Sequence, residues 1–314
     1  MNPPNTLTGL SPEEKRAMLA QLLQEHLTHP DSRDLPECPP PRPPSVPLSS
    51  AQRRIWIACA LSDASFVYAV QAVLRFHGAL DRQRIAKALD TLIARHEILR
   101  TGYVSGEDGI IQVVHPPIAC PLTFYDSGDT SLPDKIARQD LFLPFDMAQG
   151  PMLRASLLRR SADAHLLILT LHHIAVDGWS LGNLLEELAH QYTAYAGGGT
   201  ADDSPSNWQY ADYALWEHRR DNAAAKARAL EYWAETLRDL PENHLPMKHP
   251  ETHKADWKGA EAVIDIPADL TQSLRNLCRE RGSTLFCATV AGFLAVLQRY
   301  MNREDVVVGT PVAN

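Results

Sequence analysis

The spacing of apolar side chains changes along the chain, and the changes mark helices and strands. In residues 67–76 apolar side chains recur at every second position, which is typical of a strand with one buried face. Residues 81–96 have helical spacing instead, with Asp81 as the expected N-cap and His96 on the apolar stripe facing the core. Residues 166–171 are almost wholly apolar, which predicts a strand that is covered on both faces.

The same reading predicts further elements along the chain. Strands are expected at 153–158, 262–266 and 306–309, and helices at 50–61, 178–196, 210–221 with an extension to 238, 268–281 and 285–299. Strands and helices mix without strict alternation, so the predicted fold class is α/β or α+β layers.

The N-terminal region differs in composition from the rest. Residues 11–28 predict an amphipathic helix, with Ser11 as cap, Pro12 at the first helical position and Glu14 completing a capping box. A proline-rich segment follows, which favours an extended spacer. The domains that composition marks here are a leader or docking helix at 1–29 and a linker at 30–46. The helix is interpreted either as a leader packed on the main domain or as a docking element for an upstream protein.

Composition narrows the class of protein. The formal net charge of −8 argues against a nucleic-acid partner. The five cysteines are odd in number and fit no zinc or redox spacing, which indicates reduced thiols. The N-terminus lacks the pattern of a signal peptide, and the longest near-apolar run, 285–297, is shorter than the about 20 residues that span a bilayer. We therefore expect a cytoplasmic protein with no membrane partner and no bound metal.

The segment His172-His173-Ile174-Ala175-Val176-Asp177-Gly178 joins a buried strand to a helix, where reactive side chains often lie. Adjacent side chains of an extended chain point to opposite faces, so the two histidines are expected to serve different tasks. That spacing also disfavours a shared metal ion. Asp177 is expected to cap the following helix or to pair with an arginine, and Gly178 permits a tight turn.

Five segments in the same order as in a known family add to this reading. They are Leu-Ser-Ser-Ala-Gln-Arg-Arg-Ile-Trp at 48–56, Arg-His-Glu-Ile-Leu-Arg-Thr at 95–101, the two histidines with Asp177-Gly178, Tyr-Ala-Asp-Tyr-Ala-Leu-Trp at 210–216, and Gly-Thr-Pro-Val-Ala-Asn at 309–314. From about residue 46 onward the chain resembles the condensation domains of nonribosomal peptide synthetases. Each match is weak or moderate by itself, and their common order makes the resemblance specific.

The resemblance implies a chloramphenicol-acetyltransferase-like fold, with two pseudo-symmetric halves, predicted at 47–205 and 206–314, in a V and a tunnel at their junction. A donor peptidyl carrier protein would bring an acyl or peptidyl thioester to one mouth, and an acceptor carrier an aminoacyl thioester to the other. No cofactor would be bound by the domain, because its substrates are attached to the phosphopantetheine of carrier proteins or to CoA. A downstream adenylation domain is the further implied partner. The chain ends early for this family, so the second half is expected to be truncated.

The resemblance also assigns roles to residues. His173 would be the catalytic residue, either as general base or, as we prefer, as a group that positions the attacking amine and then accepts a proton. His172, Asp177, Gly178, Arg95 and Arg100 would support the loop. Asp177 would form a salt bridge with Arg95 or, as second candidate, Arg100, and the Gly178 N–H would face the oxyanion. Trp179 and Ser180 are candidate tunnel-lining residues.

Two alternatives stay open at this point. A starter condensation domain would acylate the first amino acid with a fatty acyl-CoA, and the N-terminal position favours it. A non-catalytic module that docks carrier proteins is the other, and the intact His173, Asp177 and Gly178 argue against it. Epimerisation domains share the two histidines but normally follow a carrier domain, and heterocyclisation domains replace the first histidine with aspartate.

Overall fold

The structure is a computed structural model that describes residue 39 and residues 41–62, 65–106, 109–197, 207–219, 223–240 and 262–310. The predicted helix at 11–28 and most of the proline-rich linker lie outside these ranges. The chain divides into two compact units, one ending at Asp221 and one beginning at Asn222.

The first unit is built on a four-stranded sheet. Its strands are β2 (Ala69–His77), β5 (Leu122–Asp126), β6 (Leu153–Ser161) and β7 (Ala164–His172), and they lie in the order β2-β7-β6-β5. The central strand β7 pairs antiparallel with both neighbours, and β5 pairs parallel with β6. All residues of β7 after Ala164 are buried, which confirms the predicted strand with two covered faces.

Two helices cover one face of this sheet and form the main core. They are α2 (Arg82–Arg95) and α4 (Gly178–Ala196). Asp81 caps α2 by accepting from the N–H groups of Gln83 and Arg84, as predicted. The most deeply buried side chains of α2 are aliphatic and fall on one stripe: Ile85, Leu89, Leu92 and Ile93, each at 0% exposure. They meet leucines of β6, β7 and α4, so one stripe of α2 closes the core.

The remaining elements of the first unit surround this layer. Strands β1 (Val46–Pro47), β3 (Thr101–Gly106) and β4 (Gly109–Val114) form a small sheet in the order β1-β4-β3. The helices are α1 (Ser50–Ser62), α3 (Leu132–Phe142) and α5 (Tyr210–Arg219). Helix α5 packs Ala211 and Leu215 against Val46, so the first unit extends beyond the predicted division at 205/206.

The described part of the second unit is helical. It comprises α6 (Ala223–Thr236), α7 (Ala268–Glu280) and α8 (Leu285–Met301). The strands predicted at 262–266 and 306–309 are not formed, and these predictions are wrong. A strand needs a neighbour for its backbone N–H and C=O groups, and the described residues give neither segment one.

Other differences from the sequence prediction are local. The strand predicted from 67 begins at Ala69, because residues 65–68 form a short 3-10 turn. His96 ends α2 with a side chain that is 31% exposed, so its predicted place in the core is wrong. No single helix in the described ranges is long and apolar enough to cross a membrane. Helices α7 and α8 reach that length and apolar content only when they are taken together, and the chain bends by 107° between them.

Candidate active site

The loop from β7 to α4 separates the two adjacent histidines as predicted. The side chain of His172 is fully buried at 0% exposure, whereas that of His173 is exposed. The extended backbone at the end of β7 produces this alternation. The two imidazoles therefore meet different surroundings and have different chemistry available to them.

His172 is held inside the protein as a neutral ring. Its Nδ1 accepts the N–H of Ile174 at 3.2 Å, which leaves the proton on Nε2, 3.8 Å from Cys59 Sγ. The ring of Phe145 meets it edge-on at 5.5 Å. Burial lowers the pKa of His172 to about 4, because a charged ring would lose its hydration there. This side chain supports the backbone of the loop and is not available to a substrate.

His173 is anchored through its backbone and leaves its ring free. Its N–H donates to the carbonyl of Tyr68 at 2.7 Å, which ties the loop to the turn before β2. Within the described residues the imidazole itself makes no hydrogen bond. A fixed backbone with an unengaged ring is the arrangement that a positioning or proton-accepting group requires.

Asp177 caps helix α4, which was one of its two predicted tasks. Its Oδ1 accepts the N–H of Ser180 at 2.7 Å, and the Ser180 hydroxyl accepts the N–H of Asp177 at 2.7 Å, so the two residues form a capping box. The hydrogen bonds from Ser180 lower the pKa of the Asp177 carboxyl. In the first turn of α4 the N–H of Gly178 has no partner among the described residues, which leaves it available to an oxyanion.

The predicted salt bridge between Asp177 and Arg95 is not formed, and neither is the alternative pair with Arg100. Arg95 Nε lies 2.9 Å from Glu187 on α4, and Arg100 donates to backbone carbonyls that include that of Ile93. The Asp177 carboxylate is used at the start of α4, where its Oδ1 accepts from Ser180, whereas Glu187 lies further along α4, within reach of the end of α2. Both arginines thus brace the first unit through partners other than Asp177.

Ser180 and Trp179 differ in what they offer a substrate. The Ser180 hydroxyl is used in the capping box, while the Trp179 indole is 78% exposed on the first turn of α4. Trp179 is therefore the more accessible of the two residues predicted to line a tunnel. Their role as lining residues stays a prediction.

A second polar cluster escaped the sequence analysis. Arg42 binds Asp212 through two hydrogen bonds of 2.6 and 2.9 Å and Glu97 through one of 2.6 Å. Asp212 also accepts the N–H of Gln209, whose side chain accepts the N–H of Glu97. We call these four residues the Arg42 network. Burial opposes ionisation of Asp212, and the bonds from Arg42 and Gln209 outweigh it, so the pKa of Asp212 is lowered.

The Arg42 network joins three segments that are distant in sequence: the end of the proline-rich linker, the turn after α2, and α5. Asp212 is 2% exposed, so its charge depends on Arg42 for compensation. The aspartate in Tyr-Ala-Asp-Tyr was visible in the sequence as part of a motif, but nothing in the spacing pointed to Arg42 as its partner.

Comparisons with known proteins agree on one family. The family model described as "Condensation domain" matches residues 44–314. Chondramide synthase cmdD of Chondromyces crocatus is 35% identical over 285 residues, which cover 88% of this chain and 7% of that protein. Phosphinothricin tripeptide synthetase PhsC of Streptomyces viridochromogenes is 35% identical over 317 residues, covering 98% of this chain and 29% of that protein. The chain thus spans less than a third of these relatives.

Solved structures agree on the fold. The X-domain from teicoplanin biosynthesis, also solved in complex with OxyB, matches with a TM-score of 0.74 and 26% identity over 83% of this chain and 58% of its own. The first condensation domain of the calcium-dependent antibiotic synthetase, in complex with a substrate analogue, gives 0.66 and 24% over 83% and 63%. A starter condensation domain of rhizomide synthetase with C8-CoA gives 0.58 and 21% over 65% and 48%.

The family match covers well over half of the chain and its span includes the His173 loop, Arg95, Arg100 and α5. The mixed α/β fold with two sheets confirms the predicted fold class. This chain belongs to the condensation-domain family of nonribosomal peptide synthetases.

Proposed function

We propose that the chain forms an amide bond between a donor acyl or peptidyl thioester and the amine of a carrier-bound aminoacyl thioester. The observation that carries this proposal is the different placement of the two histidine rings in the loop after β7. The His172 ring is locked in the core, and the His173 ring is exposed on a backbone that Tyr68 holds in place. The amine attacks the donor carbonyl, the thiol leaves, and the amine gives up one proton.

His173 acts on the attacking amine. An α-amine has a pKa of about 7.7–8.0, so part of it is already neutral near pH 7, and the need for a strong base is modest. The ring's main contribution is therefore to orient the amine, and it accepts the proton as the tetrahedral intermediate collapses. A rigid backbone serves this role, because a mobile ring would lose the advantage of orientation.

The first turn of α4 begins five residues after His173 and supports the same chemistry. The Gly178 N–H, which has no partner within the described ranges, points out of the positive end of a 19-residue helix whose start is fixed by the Asp177 capping box. An oxyanion that forms on the donor carbonyl would find a donor there. Asp177 and Ser180 position this turn without contacting the substrate.

Carrier proteins are the partners of this reaction. Donor and acceptor thioesters would arrive on phosphopantetheine arms, so the domain needs no bound cofactor of its own, and an adenylation domain would load the acceptor. Acyl-CoA is a second donor class, supported by the fold shared with a starter condensation domain solved with C8-CoA. Cytoplasmic localisation fits these substrates and remains part of the proposal.

A direct measurement of the condensation product tests the proposal. The full 314-residue chain is incubated with an aminoacyl carrier protein and with either an acyl carrier protein or acyl-CoA, and N-acylated product is measured by mass spectrometry. We expect product with at least one donor class. His173→Ala lowers the rate by about 10²–10⁴-fold, the range of positioned acid–base groups.

The matched control is His190→Ala, because His190 is an exposed histidine of α4 that makes no described contact with the loop. It retains the parental rate. Both variants unfold within about 0.5 kcal/mol of the parent, as exposed substitutions do. A His173→Ala protein that condenses donor and acceptor as fast as the His190→Ala protein rules out the assigned role.

The second candidate function is a module that binds a partner protein without catalysis. The complex between the related X-domain and OxyB supports it. Absence of product with every donor, together with saturable binding of the carrier protein by calorimetry, would favour this function over the first.

A further inference from the structure

A cavity of about 290 Å³ lies outside the candidate active site, between α1, the end of β1, the β3–β4 hairpin and the end of α5. We call it the Arg53 cavity. Six of its lining residues define its character: Leu48, Arg53, Trp56, Ile57, Ile110 and His218. His173 is not among the residues that line it. Its volume lies just below about 300 Å³, the value at which the usual range for ligand sites begins.

One wall of the Arg53 cavity is apolar and well supported. Leu48 is buried at 4% exposure in a small apolar cluster, and the partly buried Trp56 and Ile110 pack against that cluster. Ile57 is 41% exposed at the mouth. A flat or branched apolar body placed here would exclude water from the indole and the isoleucines without requiring the wall to rearrange.

The other wall carries polar groups that can form further hydrogen bonds or ion pairs. The guanidinium of Arg53 has no hydrogen bond or ion pair within the described residues, although it lines a concave surface. His218 Nε2 lies 3.1 Å from the carbonyl of Leu48 and must donate to it, which leaves Nδ1 unengaged. Glu217, the residue before His218, does not line the cavity, and its carboxylate accepts the N–H of Ser50 at 2.7 Å.

We propose that the Arg53 cavity binds a small organic carboxylate with a flat or branched apolar body. The carboxylate pairs with the Arg53 guanidinium, whose fork of N–H groups matches two carboxylate oxygens. The apolar body lies against Trp56, Ile57 and Ile110. The volume admits a body of about the size of one indole ring.

The probe is indole-3-acetate, and its methyl ester is the matched uncharged probe. Binding to the full chain is measured by ligand-observed NMR and calorimetry. We expect the acid to bind at millimolar concentration or tighter, and the ester about tenfold more weakly, since the ester cannot form the charged pair. Equal affinity for the acid and the ester, or no binding of either, overturns the proposal.

Two variants locate the site. Arg53→Ala weakens binding of the acid about tenfold and leaves binding of the ester unchanged. Ile57→Asp places a carboxylate at the exposed mouth and weakens the acid more than the ester. The control is Arg75→Ala, because Arg75 is an exposed arginine on β2 that does not line the cavity and whose side chain has no described partner. If Arg53→Ala and Arg75→Ala bind the acid equally well, the proposed site is wrong.

Discussion

The Arg42 network and the His173 loop treat polar side chains in opposite ways. In the network, an arginine and two acids bond to one another and to backbone groups, and Asp212 is almost completely buried. In the loop, the backbone, the cap and the buried His172 ring are bonded, whereas the His173 ring stays exposed and makes no hydrogen bond among the described residues. Residues from the family's motifs occur in both regions, so membership of a motif does not by itself indicate a chemical role.

The comparison also indicates that the residues that stabilise the fold differ from the residue proposed to act on the substrate. A buried ion pair that loses one partner leaves an uncompensated charge, whereas an exposed imidazole can be removed with little effect on folding. Changes in the buried network, at the buried histidine and at the exposed cap should therefore affect stability to different degrees, in that order.

The largest effect is expected from Arg42→Ala. This change leaves the Asp212 carboxylate, which is 2% exposed, without its positively charged partner. It should lower the free energy of unfolding by about 3–5 kcal/mol. Urea denaturation followed by circular dichroism measures this change. The matched control is Arg84→Ala, whose pair with Asp81 lies on the surface with both side chains 42% exposed, and it should cost no more than about 1 kcal/mol.

A double variant sharpens the interpretation of Arg42. Arg42→Ala combined with Asp212→Ala removes both charges, so its loss of stability should be clearly smaller than the sum of the two single losses. Additive losses would show that the two residues act independently and that the network is not the source of the effect.

An intermediate effect is expected from the protonation of His172. The unfolded ring titrates near pH 6.5 and the folded ring at a pKa of about 4, so below pH 6.5 the unfolded state binds the proton first. The stability from this residue is complete above pH 6.5 and is lost as the pH falls toward 4. Between pH 7 and 5 the loss is about 2 kcal/mol.

The measurement is the free energy of unfolding at several pH values for the parent and for His172→Asn. The variant is less stable at pH 7 but lacks the titrating ring, so its stability should decline less steeply between pH 7 and 5. Parallel pH profiles for the two proteins would contradict the neutral, buried state assigned to His172.

The smallest effect is expected at the cap of α4. Asp177→Ala removes the side chain that accepts the Ser180 N–H and should cost about 1 kcal/mol, while Asp177→Ser retains most of the cap. Because Arg95 pairs with Glu187, a double-mutant cycle between Asp177 and Arg95 should show coupling below about 0.5 kcal/mol. Coupling well above that value would restore the salt bridge expected from the sequence.

Strong local patterns made much of the first unit predictable. The Asp81 cap, the apolar stripe of α2 and the almost wholly apolar run 166–171 in β7 are each signalled by a few neighbouring residues, and all three are present. The opposite placement of His172 and His173 followed from the geometry of an extended chain in the same way.

Long-range choices were not predictable from the chain alone. Asp177 lies at the start of the predicted helix at 178–196 and Glu187 lies within it, and either acid could pair with Arg95. The sequence contains no signal that favours Glu187. The pairing of Arg42 with Asp212 joins residues 170 positions apart, which only the packed fold brings together. The strands expected at 262–266 and 306–309 failed for a related reason, since alternation indicates a strand but does not supply its neighbour.

The Arg42 network has a practical consequence for recombining modules. Arg42 lies within the residues that the sequence assigns to a linker, yet its side chain is built into the domain beside α5. An exchange junction placed anywhere between Arg42 and Ser50 would graft a foreign residue opposite Asp212. Junctions upstream of Arg42 carry the native partner along with the transplanted domain, and hybrid synthetases made that way should fold with the parental charge pairing intact.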